Sequence, residues 1–272
     1  MGVRGMTRLC AAAVAAAAVG GIGLVGQPAA AAAPGAVRLA ARTGPVGQQL
    51  AAATALSHPY FYRETVRYGA RDVSPYQIAH VFEVQIRLYR SRFFGGPVTG
   101  YFGSLTLAAV RSFQRAQRLP QTGVVDQATW TRLITYSRQR SAGWYALPAV
   151  CRSGGWHTCY SRPTNELFLL HSGTLVNTWY VRGGAYTLQT VLGTHRVYWK
   201  DIDHRSALFN NAPMPYSQFF YGGEAVHGSA TMVNPLSGHS HGCINMYIED
   251  AAELWRLTAP YRNTVTVYGH WA

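Results

Sequence analysis

The stretch that decides the reading of this chain runs from His227-Gly228 to Ser240-His241-Gly242-Cys243-Ile244-Asn245, with twelve residues separating His227 from Ser240. A free thiol has a pKa of about 8.5 and reacts as the thiolate. An imidazole beside it can take the proton, and histidines stand at 227, 239 and 241. Gly242 lets another backbone, such as a peptide, come close to the sulfur. Main-chain N–H groups next to the nucleophile can hold an oxyanion. These residue types at this spacing suit acyl transfer through a thioester. Two readings compete. A lone cysteine is more often a small buried hydrophobe than a nucleophile. His227, His239, His241 and Cys243 are also a set of zinc ligands, and on a strand His239 and His241 would face one way. No HExxH is present, and Glu224 is the one carboxylate close enough in sequence to serve a hydrolytic zinc.

Working outward, the 272 residues suffice for one large domain or two modest ones. Apolar residues make up 48% and charged residues 13%, which excludes a strongly charged disordered chain and a coiled-coil repeat. Beyond the N-terminus no apolar run approaches the roughly 18 residues of a membrane helix. The net charge is +13, almost all of it arginine because Lys200 is the only lysine. Such a surface favours anionic partners.

Compartment narrows those partners. Arg4 and Arg8 precede a small apolar run, Ala11 to Val25, and then Gln27-Pro28 and the alanines 29–33. This is the layout of a secretory signal, residues 1–33, cut near Ala31–Ala33. An uncut anchor is the alternative. Export implies no nucleic-acid partner, no stable membrane span after cleavage, and an extracytoplasmic or cell-wall location. Cys10 leaves with the signal. Cys151 and Cys159 flank a loop containing Gly154 and Gly155, and in an exported protein a disulfide is the default. A zinc site through His157 lacks the usual spacing. Cys243 is then the odd cysteine.

The chain divides by texture. Residues 34–73 read as a tether, although the aromatic residues of 57–73 suggest packing on the next module. Residues 74–136 read as three short helices. Ile78, Val81, Val84 and Leu88 mark the first, Ser104 can cap the second, and Asp126 can cap the third. The turns at Thr99-Gly100 and Thr122-Gly123 echo each other, and both glycines suit positive φ. Residues 137–149 form a basic linker. From 150 to 270 the texture is strand-like, with a hairpin about His171–Thr174, further strand segments at 191–200 and 224–226, a helix over 250–257 and a closing strand over 264–268. The expected fold is α + β and multidomain: a three-helix bundle followed by a β-rich domain with one late helix.

The helical segment resembles the small peptidoglycan-binding module. The features that carry the resemblance are Gly100 to Gly103, Phe113-Gln114, Leu119-Pro120, Gly123, and Trp130 with Leu133. Thr99 stands where that family usually has Asp. The later segment resembles the L,D-transpeptidase catalytic domain of the YkuD type, whose signature is an upstream His, a spacer, then Ser/Thr-His-Gly-Cys, an apolar residue and Asn or Arg. Ala212 to Tyr216 and Gly222 to Gly228 resemble the family too.

The resemblance implies a sandwich-like YkuD fold, a thioester enzyme without cofactor or metal, and 3→3 cross-links between peptidoglycan stems with release of D-Ala. Cys243 would be the nucleophile and His227 the base. Ser240 would orient His227 through its main-chain carbonyl. The N–H groups of Gly242 and Cys243, with His241 nearby, would hold the oxyanion. Asn245, Tyr216, Met214 and Gly228 would contact substrate. Carbapenem-type β-lactams would acylate Cys243, and water as acceptor would give an L,D-carboxypeptidase. The partners implied are stem peptides and glycan, with anionic wall polymers besides, for a monomeric enzyme. A zinc-dependent wall peptidase and a non-catalytic wall-binding protein are the alternatives.

Overall fold

The structure is a computed structural model and describes residues 61–270. The signal at 1–33 and the tether up to residue 60 lie outside the described residues. Three helices come first: α1 (Val81–Arg90), α2 (Ser104–Ala116) and α3 (Gln127–Arg138). A one-turn α4 (Ala142–Tyr145) and a 3₁₀ turn (Ala149–Arg152) lead into nine strands. These are β1 (Trp156–Ser161), β2 (Glu166–His171), β3 (Thr174–Tyr180), β4 (Gly193–Arg196), β5 (Trp199–Ser206), β6 (Ala212–Tyr221), β7 (Glu224–Gly228), β8 (Ile244–Met246) and β9 (Asn263–Tyr268). Helix α5 (Ile248–Thr258) lies between β8 and β9. The α + β expectation, with one late helix, holds.

In the helical part the echoed turns have a shared cause. Gln85 on α1 accepts from the N–H groups of Thr99 and Gly100 and donates to the Tyr101 carbonyl. Gln114 on α2 accepts from the Gly123 N–H and donates to the Val124 carbonyl. Each buried amide thus satisfies the backbone of the next turn. Gly100 and Gly123 have φ of +71° and +75°, and a Cβ there would stand 2.3 Å from Phe82 and 2.4 Å from Leu107. Asp126 caps α3 through the Thr129 N–H at 2.8 Å. The cap of α2 is Gly103 rather than Ser104, which is already the first helical residue. Residues 61–73 are no tether. Val66 bridges to Val125 and Arg71 to Tyr101, so this strip is built into the bundle, as its aromatic content suggested. The expected linker 137–149 likewise holds the end of α3 and all of α4.

Helix α1 is buried on every side. Val81, Val84 and Leu88 enter the core of the bundle. Phe82 and Ile86 pack with Tyr180 of β3. Between them Glu83 accepts from Arg63 (2.9 Å) and Arg87 (2.8 Å). Both guanidiniums also donate to the Thr178 carbonyl of β3, at 2.8 and 3.1 Å. Burial opposes ionisation of Glu83, but the two arginines prevail and hold its pKa down at about 2. His80, with φ of +58°, closes the seam further on, its Nε2 3.4 Å from Asp250 on α5.

The strands form two sheets, ordered β3-β2-β1-β9-β4 and β5-β6-β7-β8. One core takes Tyr160, Leu169 and Trp179 from the first sheet, Val226, Ile244 and Met246 from the second, and Leu254 from α5. The expected hairpin at His171–Thr174 is β2–β3. The expected strand over 191–200 is in fact two, β4 and the start of β5. β6 escapes a sequence reading because Pro213 and Pro215 interrupt it, and proline disfavours strand interiors. Cys151 and Cys159 form the expected disulfide with both sulfurs buried. By loop-closure entropy it contributes roughly 2–3 kcal/mol.

The seam yields a stability prediction. Glu83→Gln leaves two buried guanidiniums without their carboxylate and should cost about 3–5 kcal/mol in denaturant unfolding. Because the folded-state pKa of Glu83 is depressed, its contribution should be full above about pH 4.5 and vanish as pH falls towards 2. A wild-type-like midpoint in the variant at pH 7 would contradict this.

Candidate active site

The site is set by one strand pairing. β7 and β8 run parallel, with Val226 opposite Ile244, His227 opposite Asn245 and Gly228 opposite Met246. Val226, Ile244 and Met246 point into the core. His227 and Asn245 therefore face the other way, and Cys243, two residues before Asn245, joins them. A parallel pair needs a crossover of a dozen residues or more. Ser229–Cys243 is that crossover, which is why His227 and Ser240 stand so far apart in sequence.

His227 is buried, and its Nδ1 lies 2.7 Å from the Gly228 carbonyl. A carbonyl only accepts, so Nδ1 carries the hydrogen and Nε2 is left as the basic nitrogen. Burial pushes the imidazole down to about pKa 4; the bond to Gly228 pulls the other way, His204 and Arg182 add to the depression, and the bond to the Asn245 side chain opposes it. The imidazole is thus neutral at pH 7, the form a general base requires. The Gly228 carbonyl orients the imidazole. The contact expected from the Ser240 carbonyl is made by the Gly228 carbonyl, while the Ser240 carbonyl accepts from the Ala185 N–H.

Ser240 has a different part. Its hydroxyl donates to the Cys243 carbonyl at 2.5 Å and accepts from the Gly242 N–H at 3.1 Å. It closes the turn that presents the thiol. The Gly242 N–H, expected in an oxyanion hole, is spent on that hydroxyl. Glycine is needed at 242 because φ is +124° and because a Cβ would stand 2.9 Å from Glu224 Oε1. The space behind Gly242 is filled by protein, not by an approaching substrate backbone.

Cys243 is half-buried and packs against Met214, Phe219 and Ala225. Met214 thus lies beside the thiol. Tyr216 does not: at φ +61° it turns towards Trp255 of α5, 6.3 Å between ring centroids, and packs on the main core. His241 is exposed and stacks on Phe209, beside the β5–β6 turn, at 4.6 Å. His239 Nδ1 lies against the Ser240 carbonyl at 3.4 Å. The histidines therefore diverge. Among the described residues, the one trio whose donor atoms converge as metal ligands would is His80, Glu83 and Asp250, not the set drawn from 227, 239, 241 and 243. There the two arginines on Glu83 oppose a cation.

Sequence reasoning missed the rail that supports the turn. Arg182 and Asn245 exchange both backbone hydrogen bonds at 2.9 Å, and the Ser240 N–H donates to the Gly183 carbonyl at 2.8 Å. The Arg182 side chain then reaches Thr231 Oγ1 at 2.9 Å and the Ser237 carbonyl at 3.4 Å, holding the crossover. The signal was Gly183-Gly184: a Cβ would meet the Tyr160 hydroxyl at 2.2 Å and the Leu188 carbonyl at 2.0 Å. Glu224, which accepts from the Val191 N–H at 2.9 Å, was noticed only as a zinc base.

Residues 79–133 match the family model of the peptidoglycan binding domain (PG_binding_1). Residues 157–267 match that of the L,D-transpeptidase catalytic domain (YkuD). An uncharacterized protein of Kitasatospora aureofaciens is 46% identical over 57 residues, 21% of this chain and 48% of that protein. The chain thus spans about half the length of this curated relative. Among solved structures, an L,D-transpeptidase from Stackebrandtia nassauensis is 21% identical, covering 79% of this chain and 98% of that one, at a TM-score of 0.48. Another from Xylanimonas cellulosilytica is 24% identical, covering 76% and 98%, at 0.42.

Two outcomes are expected. In an NMR titration the His227 ring should change charge near pH 4 rather than about 6.5, the value of a free imidazole. The depressed value means that the site is most stable above about pH 6.5 and loses that contribution as pH falls towards 4. Ser240→Ala strands the Gly242 N–H and frees the turn. Alkylation of Cys243 should slow about ten- to a hundredfold, the equivalent of about 1.4–2.8 kcal/mol.

Proposed function

We propose that this chain, which joins a peptidoglycan-binding module to a YkuD-type L,D-transpeptidase catalytic domain, forms 3→3 cross-links in peptidoglycan through a thioester on Cys243. The observation that carries the reading is the β7–β8 register, which sets a neutral, buried His227 and a half-buried Cys243 on one face.

The chemistry follows from those groups. His227 Nε2 takes the thiol proton, and the sulfur attacks the carbonyl between the third stem residue and D-Ala. The oxyanion rests on the Cys243 N–H. The C–N bond breaks, the proton passes from His227 to the leaving amine, and D-Ala departs. An amine of a neighbouring stem then loses its proton to His227 and attacks the thioester, restoring the thiol. Water in place of the amine yields a tripeptide. Met214, Phe219 and Ala225 form the apolar wall beside the sulfur. The peptidoglycan-type partner and the residues 1–33, whose composition suits a signal, both support action outside the cytoplasm in the cell wall.

The test is mass spectrometry of products from purified protein and a disaccharide-tetrapeptide, run beside Cys243→Ala. Dimers lacking one D-Ala, absent with the variant, are expected. Dimers formed equally by the variant, or loss of activity to a chelator with no response to thiol alkylation, would overturn the proposal.

A further inference from the structure

Away from the thiol, an open cleft of about 460 Å³ lies where the end of α3, α4 and the β2–β3 turn meet. Arg138, Arg152 and Trp144 line it, with Thr131, Leu175 and Phe61 beside them. The Arg138 guanidinium sits 4.4 Å from the centre of the Trp144 ring and that of Arg152 4.7 Å. Two positive charges are therefore held no more than about 9 Å apart by one aromatic ring. The ring is itself fixed, packing on Phe168 at 5.6 Å with its backbone N–H on Ser141.

What the cleft lacks is a counter-charge. Among the described residues neither arginine takes part in an ion pair, although Arg63, Arg87, Arg90 and Arg256 all do. Arg138 Nε is buried without a hydrogen-bond partner. Burial and the neighbouring Arg152 both push the Arg138 pKa down, which records how poorly its charge is compensated. A guanidinium presents a planar fork of donors that matches the oxygens of a phosphate or carboxylate. Gly173 allows the close approach on the far side: its φ is +79°, and a Cβ there would stand 2.9 Å from the Arg152 carbonyl.

We propose that this cleft is a binding site for oxyanion groups, phosphate or carboxylate, carried along an extended anionic polymer. Two separated guanidiniums on an open floor can meet successive charges of a chain. The site is distinct from the thiol and stands whether or not Cys243 acts as proposed above.

The experiment is calorimetric titration of the purified chain at moderate salt. The probes are poly(glycerol phosphate), poly-γ-glutamate, and a neutral chitin oligosaccharide as reference. Wild type is compared with R138Q/R152Q, R138K/R152K, and the exposed pair R67Q/R115Q, which removes the same charge elsewhere; unfolding curves confirm that each variant is folded. Saturable binding of a polyanion is expected, weakened at least tenfold in R138Q/R152Q, clearly weakened in R138K/R152K, and changed less than threefold in R67Q/R115Q. Preference between the two polymers assigns the source of the oxyanion. Equal weakening in both Gln pairs would reduce the effect to diffuse net charge and overturn the site. So would failure of both polyanions to bind folded wild-type protein, or binding of the neutral oligosaccharide alone.

Discussion

The parallel pairing of β7 with β8 is the constraint on which the site depends. It sets the facing of three side chains at once: His227 and Asn245 as register partners, Cys243 two residues earlier. A shift of β8 by one residue along β7 would turn Cys243 and Asn245 towards the core and Ile244 out, leaving His227 alone on its face. The burial of Val226, Ile244 and Met246 between the sheets and α5 therefore does more than stabilise. It penalises every register in which the imidazole and the thiol do not share a face.

Around that pairing, the polar groups of the turn at residues 240–243 are engaged. Ser240 spans the turn from the Gly242 N–H to the Cys243 carbonyl. Gly228 fixes the tautomer of His227. The strip Arg182–Ala185 supplies backbone partners from outside and sends one guanidinium across the crossover. Such a turn is held in place by its own hydrogen bonds. Burial likewise holds the His227 imidazole in its neutral form.

The helical part is joined to the sheets by burial and charge, not by a flexible link. Helix α1 gives one face to the bundle and another to β3, and Glu83 with its arginines fills the space between. A ligand held by the helices would thus be held at a set distance and angle from the thiol. That differs from a tethered module, which raises only the local concentration.

The sequence by itself determined which residue types stand together and the order of the parts. A lone thiol, near histidines, two echoed glycine turns and a cysteine pair across a glycine loop are local signals, each legible from a few neighbours. What only the tertiary structure decided is the division of labour. Gly228 rather than Ser240 orients the base, Tyr216 faces the core rather than the thiol, Gly242 makes room for Glu224, and the strip beside Arg182 supports the turn. The same holds for β6, where proline argued against a strand. The physical reason is common to them all. Hydrogen-bond partners and packing neighbours tens of residues apart in sequence are chosen by strand register and burial, and a pattern read along the chain carries no record of which distant carbonyl a given N–H will meet.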